Sequence, residues 1–479
     1  MSPRQATALR DYEARAYIGG AFEEPTGTWI PVLDKSTGIQ FGRYTDSSAE
    51  QVDRAVRAAR IAQPHWAATS AMERSELLRG FASQLANRHD ELIELIIRET
   101  GGTTEKAEEE LGQSINQLLN SATQVTENAG AILPPYKEGK ISLSRAVPLG
   151  VIGLIVPWNY PMSLAMRALA PGLAYGNAVV LKPAELTPIA GGQILAEAAQ
   201  AAGFPAGIFA VVPGDGPTTG RTLSEHPDLD LIHFTGSFEV GHQIANFAAK
   251  SFRAVATELG GDNAFVVLDD ADLDQAASAA VWSALWYQGQ TCISAGRHIV
   301  MRSVADAFTD AVVARVERMT VGNPLTDRVD LGPIISETQL DRFHGGLVRP
   351  SIDAGAKVAT GGTHDGLFYR PTVLTGVTPE MPVFTEEIFG PVMPITVVDT
   401  EAEALELVNR HRTLMNSVFT ADSMRGLAFA EKVKGNEVHV NDAYARHGGE
   451  GQLDGFTHRQ WIGIQTTPTS YPTWAESQH

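Results

Sequence analysis

The chain has 479 residues, 43% apolar and 19% charged, with a formal net charge of −19. That balance describes a folded protein of two or three domains, argues against disorder, and disfavours a nucleic-acid partner, whose phosphates want a basic face. No run approaches the roughly 18 apolar residues of a membrane helix, so no membrane partner is expected. The start, Met1-Ser2-Pro3-Arg4-Gln5, has no apolar core for a signal peptide, and the near-absence of cysteine points to the cytoplasm. The thirteen histidines are scattered, and no His, Cys and carboxylate cluster has ligand spacing, so no metal is expected.

The first third reads as helical. Ser47 with Glu50 suggests a capping box, followed by Val52, Val56 and Ala59 at helical spacing until Pro64 interrupts. Ser70 with Glu73 repeats the signal ahead of Leu77, Leu78, Phe81 and Leu85. A third amphipathic run, Leu92 to Ile97, stops at Gly101-Gly102. These helices read as a packing layer without chemistry.

From Gly150 short apolar runs alternate with helix-length stretches. The runs are 150–157, 177–183, 208–213, 231–235 and 263–268, with the alanine-rich helix Ile189 to Ala202 among the connections. Buried strands alternating with helices predict a parallel, doubly wound sheet, which binds ligands where its strands end. Pro157-Trp158-Asn159-Tyr160, Lys182-Pro183-Ala184-Glu185 and Phe234-Thr235-Gly236-Ser237 fall at such ends. The third of these, running on to Gly241, is a phosphate candidate: a strand end, small residues, then a helix N-terminus. Gly214 to Gly220 follows a strand too, but its spacing misses the dinucleotide fingerprint and reads as a turn. A long helix from Leu273 to Trp286 leads to the only cysteine, Cys292. Glu437 to Asn441 and Gln460 to Gln465 read as late strands, the last one suited to pairing with another subunit.

A lone thiol is either a small buried hydrophobe or a nucleophile. Around Cys292 the neighbours are small and polar, with Gly289 and Gly296 on either side, which favours approach by a ligand. A nucleophile needs a base and donors for the oxyanion it creates. Glu258, directly before Leu259-Gly260-Gly261, is either a partly desolvated base or a loop-solvated glutamate. Asn159 is either an oxyanion donor, with the backbone N–H of Cys292 as the second, or a turn residue.

Together these segments resemble the aldehyde dehydrogenase superfamily. Pro157-Trp158-Asn159-Tyr160-Pro161, Lys182-Pro183-Ala184-Glu185, Phe234-Thr235-Gly236-Ser237, Glu258-Leu259-Gly260-Gly261, Gly289-Gln290-Thr291-Cys292 and Glu386-Glu387-Ile388-Phe389-Gly390-Pro391 occur in the family's order, from about Phe22 to Asn441. The resemblance implies an α/β fold: a Rossmann-like NAD-binding domain (1–125 and 149–258), an α/β catalytic domain (259–441) and a small β oligomerisation element (126–148 and 456–479). It implies that Cys292 attacks the aldehyde, Asn159 and the Cys292 amide hold the oxyanion, and Glu258 activates water. Lys182 and Glu185 correspond to adenosine-ribose contacts, Ser237 to the pyrophosphate contact, and Glu387 with Phe389 to the nicotinamide-ribose side. Pro157, Trp158, Thr235, Gly236, Gly241, Leu259 and Gly260 complete the cofactor set. A carboxylate at Glu185 favours NAD, with NADP possible. A homodimer or homotetramer is implied.

The segment from Trp286 to His298, and Leu367 to Thr372, look like the bacterial benzaldehyde and vanillin dehydrogenase branch. Tyr160, Leu164, Arg167, Trp286, Tyr287, Thr291 and Ile293 then line the aldehyde tunnel, or else pack in the core; the aromatics suit an aryl ring and Arg167 a phenolic oxygen or carboxylate. Two departures stand out. The segment 442–455 is shorter than the family's serine- and glycine-rich loop, which closes one side of the substrate mouth. His411-Arg412-Thr413-Leu414-Met415-Asn416 lacks the family's usual Tyr-Gly-Leu. The expected reaction is NAD-dependent oxidation of an aromatic aldehyde. Its alternatives are a catalytically silent NAD-binding homologue and a CoA-acylating enzyme, and Glu258 opposes the second because acylation of CoA needs no water-activating base.

Overall fold

Side chains fix the starts of three of the four helices between Ala49 and Gln124. In the computed structural model, which describes residues 11–127, 130–135, 138–443 and 453–465, Ser70 caps Ala71–Ala86 and Thr103 caps Thr104–Gln124 by accepting from the N–H three residues on. Each such cap contributes about 1 kcal/mol. The capping box of Ala49–Ala68 is Ser48 with Gln51, one residue beyond the expected pair. Ser47 lies just outside the helix, its backbone N–H donating to the Pro213 carbonyl at 2.8 Å.

Pro64 does not interrupt that helix, which continues to Ala68. An interior proline costs about 3 kcal/mol, but here the last turn is held from outside. Gln63 donates to Gly176 O at 2.9 Å and Trp66 donates to Leu173 O at 2.9 Å. His89–Thr100 ends as expected on Gly101, whose φ of 72° is a left-handed cap that a side chain would strain.

The fold is α/β, with two seven-stranded sheets. The first has the order Ala254–Leu259, Leu231–Gly236, Val151–Ile155, Ala178–Lys182, Phe209–Val211, then the short Tyr17–Ile18 and Ala21–Phe22. Its first five strands are mutually parallel, and Val151–Ile155 and Ala178–Lys182 are buried at every residue. Continuous burial on both faces is why these strands read as unbroken apolar runs. The second sheet runs Lys357–Thr360, Thr372–Thr375, Val392–Val398, Ala295–Met301, Asn263–Val267, Met415–Phe419 and Glu437–Val440. The chain passes from one sheet to the other between Leu259 and Asn263.

The connection Ile189 to Ala202 opens with a wide π turn, Ile189–Gln193, before Ile194–Ala201. Glu99, fully buried, accepts from Ile189 N at 2.9 Å and Ala190 N at 2.7 Å, so its carboxylate caps this turn from the helical layer. Burial pushes its carboxyl up, against these amides and the nearby Lys35 charge. Glu99→Ala strands two buried amides, a loss of about 3 kcal/mol. The expected result is a melting temperature lower by several degrees in a thermal scan.

A third, antiparallel sheet joins Thr457–Gln465, Lys140–Pro148 and Gly130–Leu133. The late strand is longer than expected and one of its edges is already paired within the chain. The shortened segment lies mostly in residues 444–452, outside the described residues. The short helix Leu453–Phe456 follows, with the Phe456 carbonyl accepting from Asn177 Nδ2 at 3.0 Å.

Candidate active site

The helix Leu273–Leu285 stops one residue before the expected Trp286 and gives way to a tight turn, Trp286–Gly289. Tyr287, Gln288 and Gly289 have φ of 49°, 54° and 66°, three left-handed residues in succession. Only glycine is at ease there, and a Cβ on Gly289 would lie 2.4 Å from the Gly390 carbonyl oxygen. The strained pair is held by side-chain bonds. The Tyr287 hydroxyl donates to Thr100 O at 3.2 Å, and Gln288 Nε2 donates to Gly101 O and Pro333 O at 2.9 and 2.8 Å.

Cys292 then sits in a turn fastened by Asn263. The Asn263 amide donates to Cys292 O and Ser294 O at 2.8 and 2.9 Å, while its oxygen accepts from Leu414 N and Met415 N at 2.8 and 3.0 Å. This residue was not among those singled out in the sequence. A polar side chain opening a fully buried strand, two residues after a pair of glycines, is the signal that would have found it.

Asn159 lies just beyond the strand Val151–Ile155, 3% exposed, and donates through Nδ2 to Gln290 O at 3.0 Å. The same segment that carries Cys292 is therefore docked on Asn159. Gln290 in turn accepts at Oε1 from Ile335 N at 3.0 Å.

Glu258 is the next-to-last residue of the edge strand Ala254–Leu259, in register with Thr235. Its side chain is 42% exposed, with Arg167 Nη2 3.9 Å from its carboxylate. The expected desolvation is only partial, because an edge strand leaves one flank open to water. The thiol, by contrast, is pushed up to about 11, first by burial and then by the Glu387 charge; Arg167 opposes and Glu258 adds a smaller push. Glu387 itself is pushed up to about 7, mainly by burial, with Arg342 opposing and Asp262 adding to it.

Two consequences follow for titration. The thiol is protonated at neutral pH in the free protein, so its alkylation rate rises with pH toward about 11. Glu387→Gln removes a negative neighbour, which lowers the thiol pKa and accelerates iodoacetamide labelling roughly threefold to tenfold at about pH 8. Equal labelling rates in the two proteins would show that the Glu387 charge does not act on the thiol.

The expected cofactor residues form contacts with one another. Lys182, buried at the end of Ala178–Lys182, places Nζ 3.4 Å from Glu185 Oε2, and burial lowers its pKa against that carboxylate. Ser237 caps Phe238–Ala249 by accepting from Val240 N at 3.4 Å, beside Thr235 and Gly236. A Cβ on Gly241 would meet Leu259 Cδ2 at 2.6 Å, and one on Gly260 would meet Glu387 Oε2 at 2.4 Å. Both glycines thus permit close approach of backbone. Beyond Pro157, the Trp158 ring packs edge-on against Phe389 at 5.5 Å, with Phe389 at a φ of 53°. Glu387 Oε1 is buried without a protein partner. An acceptor left open beside a glycine cradle fits a ligand hydroxyl, as a ribose would supply. Among the described residues no group of three or more His, Cys, Asp or Glu side chains is placed to hold a metal ion.

Of the expected tunnel residues, Leu164 and Arg167 stand three apart on one face of Pro161–Ala174, immediately after Tyr160. Tyr160 accepts at its hydroxyl from Trp286 Nε1 at 2.9 Å, and Trp286 packs on Trp282 at 4.4 Å. Thr291 shares a hydrogen bond with Ser294 at 2.5 Å, and Ile293 is half-buried. Tyr287 packs on the core side. It is 2% exposed and its hydroxyl is spent on Thr100, because the left-handed backbone turns the ring into the core. It backs the wall that Tyr160 and Trp286 form.

Residues 22–458 match the aldehyde dehydrogenase family model. The chain belongs to the aldehyde dehydrogenase family. Among its relatives, a benzaldehyde dehydrogenase [NAD(+)] of Pseudomonas putida is 39% identical over 94% of this chain and 96% of its own length. A vanillin dehydrogenase of Amycolatopsis is 38% identical over 95% and 97%. The solved structure of a betaine aldehyde dehydrogenase from Staphylococcus aureus in complex with NAD+ superposes with a TM-score of 0.92, at 28% identity, over 97% of each chain. This aldehyde dehydrogenase is an NAD(P)-dependent oxidoreductase. No helix among its described residues is long and apolar enough to cross a membrane.

Proposed function

We propose that this aldehyde dehydrogenase oxidises an aromatic aldehyde to its carboxylic acid, with NAD as the preferred cofactor and Cys292 as nucleophile. The aromatic wall carries the substrate reading: Tyr160 and Trp286, joined by a 2.9 Å hydrogen bond, set two aromatic rings next to the expected oxyanion donor. The benzaldehyde and vanillin names of its relatives support the same class.

Lys182 and Glu185 would hold the adenosine ribose, Ser237 and the Thr235–Gly236 turn the pyrophosphate, and Glu387 the nicotinamide ribose. The Glu185 carboxylate repels a 2′-phosphate, which favours NAD. What a bound cofactor supplies is a hydride acceptor. The protein's own part begins when the Cys292 thiol loses its proton and Sγ adds to the aldehyde carbon. The oxygen gains charge and takes hydrogen bonds from Asn159 Nδ2 and the Cys292 amide. Loss of the hydride from the former aldehyde carbon leaves a thioester on Sγ. Glu258, half-exposed, reaches water and removes its proton as the water oxygen attacks the thioester carbon. The carbon–sulfur bond breaks, the acid departs, and the thiolate is restored.

The division of labour follows the sheets. Residues 1–125 and 149–258 form the cofactor domain, 259–441 the catalytic domain, and 126–148 with 456–479 the element through which copies assemble. The outer edge of Thr457–Gln465, with Trp461 and Ile464 exposed, supports that last assignment. The lone cysteine supports a reducing, cytoplasmic setting.

The test is NADH or NADPH formation across benzaldehyde, vanillin, salicylaldehyde, acetaldehyde and a long-chain aldehyde. Fastest turnover of aryl aldehydes with NAD is expected. A preference for short aliphatic aldehydes would overturn the substrate class.

A further inference from the structure

Behind the aromatic wall lies an ion pair sealed from water. Lys106 and Glu110 are both 0% exposed and meet one turn apart on Thr104–Gln124. Burial drives the Lys106 ammonium down from its ordinary range, and Glu110 opposes that. In this order, lysine N-terminal to glutamate, the pair gains less from the helix than the reverse arrangement would. A buried pair of this kind is weak evidence for stability, since apolar replacements of similar volume are often neutral or better. Its contacts show another use.

Glu110 Oε1 accepts from Met162 N at 2.8 Å and Ser163 N at 3.4 Å, the first amides of the helix that follows Asn159 and Tyr160. Lys106 Nζ stands 4.4 Å from the centroid of the Tyr160 ring and 4.4 Å from that of Tyr287. The two rings meet edge to face at 5.5 Å. An ammonium has three N–H groups, and here one goes to Glu110 while two rings take the rest of its charge. Tyr287 leads into the strained turn before Cys292, and Tyr160 carries the hydroxyl that holds Trp286.

We propose that Lys106, seated on Glu110, is a positioning residue that sets the tilt of the Tyr160 ring and thereby the enzyme's preference for aryl over aliphatic aldehydes. The inference rests on the aromatic-aldehyde reading above. An aryl group depends on the angle of the ring it stacks against, whereas acetaldehyde needs only room. Removing the cation takes away one of the contacts that fix the Tyr160 ring, while the Cys292 turn keeps its anchor at Asn263.

The test compares the wild type with Lys106→Met combined with Glu110→Gln, which keeps an oxygen acceptor for Met162 N and leaves no unpaired buried charge. The variant is expected to melt at or above the wild-type temperature. Its kcat/KM for benzaldehyde falls on the order of tenfold, mostly in KM, while that for acetaldehyde changes less than threefold. Lys106→Arg, which keeps a cation over both rings, retains the wild-type ratio of the two substrates. An equal fall with both aldehydes, an unchanged ratio in the double variant, or a lost ratio in a folded Lys106→Arg protein would overturn the proposal. Failure of the wild type to oxidise benzaldehyde would instead sink the substrate reading on which it rests.

Discussion

Replacing Cys292 by alanine is expected to abolish NADH formation from every aldehyde, a loss of about 10⁴-fold or more. No other thiol exists in the chain to take its place. The fold should be untouched, because Asn263 grips the backbone carbonyls of Cys292 and Ser294 rather than the side chain. Cofactor binding, followed by quenching of tryptophan fluorescence, should therefore survive. Turnover within tenfold of the wild type would remove Cys292 from the mechanism altogether.

Glu258→Gln is the second large effect, and its signature is kinetic rather than total. A glutamine cannot take a proton from water, so thioester hydrolysis slows by about 10²–10⁴-fold, while carbon–sulfur bond formation and hydride loss continue. One enzyme equivalent of NADH then appears in a burst, and intact-protein mass spectrometry shows the acyl group retained on Cys292. A linear time course without acyl adduct would mean that another group delivers the water. The half-exposed Glu258 carboxylate also faces Arg167 at 3.9 Å. The variant loses that ion pair as well, but exposed pairs contribute only about 0–1 kcal/mol, too little to mimic the kinetic effect.

Much of this architecture was legible where the information is local. Unbroken apolar runs marked Val151–Ile155 and Ala178–Lys182 because both faces of these strands are covered. The motif residues at strand ends were found because small and polar types interrupt those runs. What escaped reading depends on partners far along the chain. Asn263 looked like the first residue of a strand, since the amides that donate to its oxygen lie 151 and 152 positions later. Lys106 was not marked at all, because the Tyr160 and Tyr287 rings that close over it come from distant parts of the chain. Tyr287 stayed open between tunnel and core because the left-handed backbone around it leaves no mark in a non-glycine residue. Pro64 was given too much weight for the same reason: Leu173 and Gly176, which secure the turn around it, are over a hundred residues away.

The Asn263 anchorage also sets an order of events in biosynthesis. Its amide can seize the Cys292 turn only when the backbone of Leu414 and Met415 is there to orient it, so the nucleophile is assembled after most of the chain has left the ribosome. The strands of the first sheet are all present by Leu259, although Phe456 later packs against His233 and accepts from Asn177 beneath them. Until Leu414 and Met415 have emerged, the strands that later carry the cofactor residues can pair, while the cysteine still lacks the anchored turn of the finished protein.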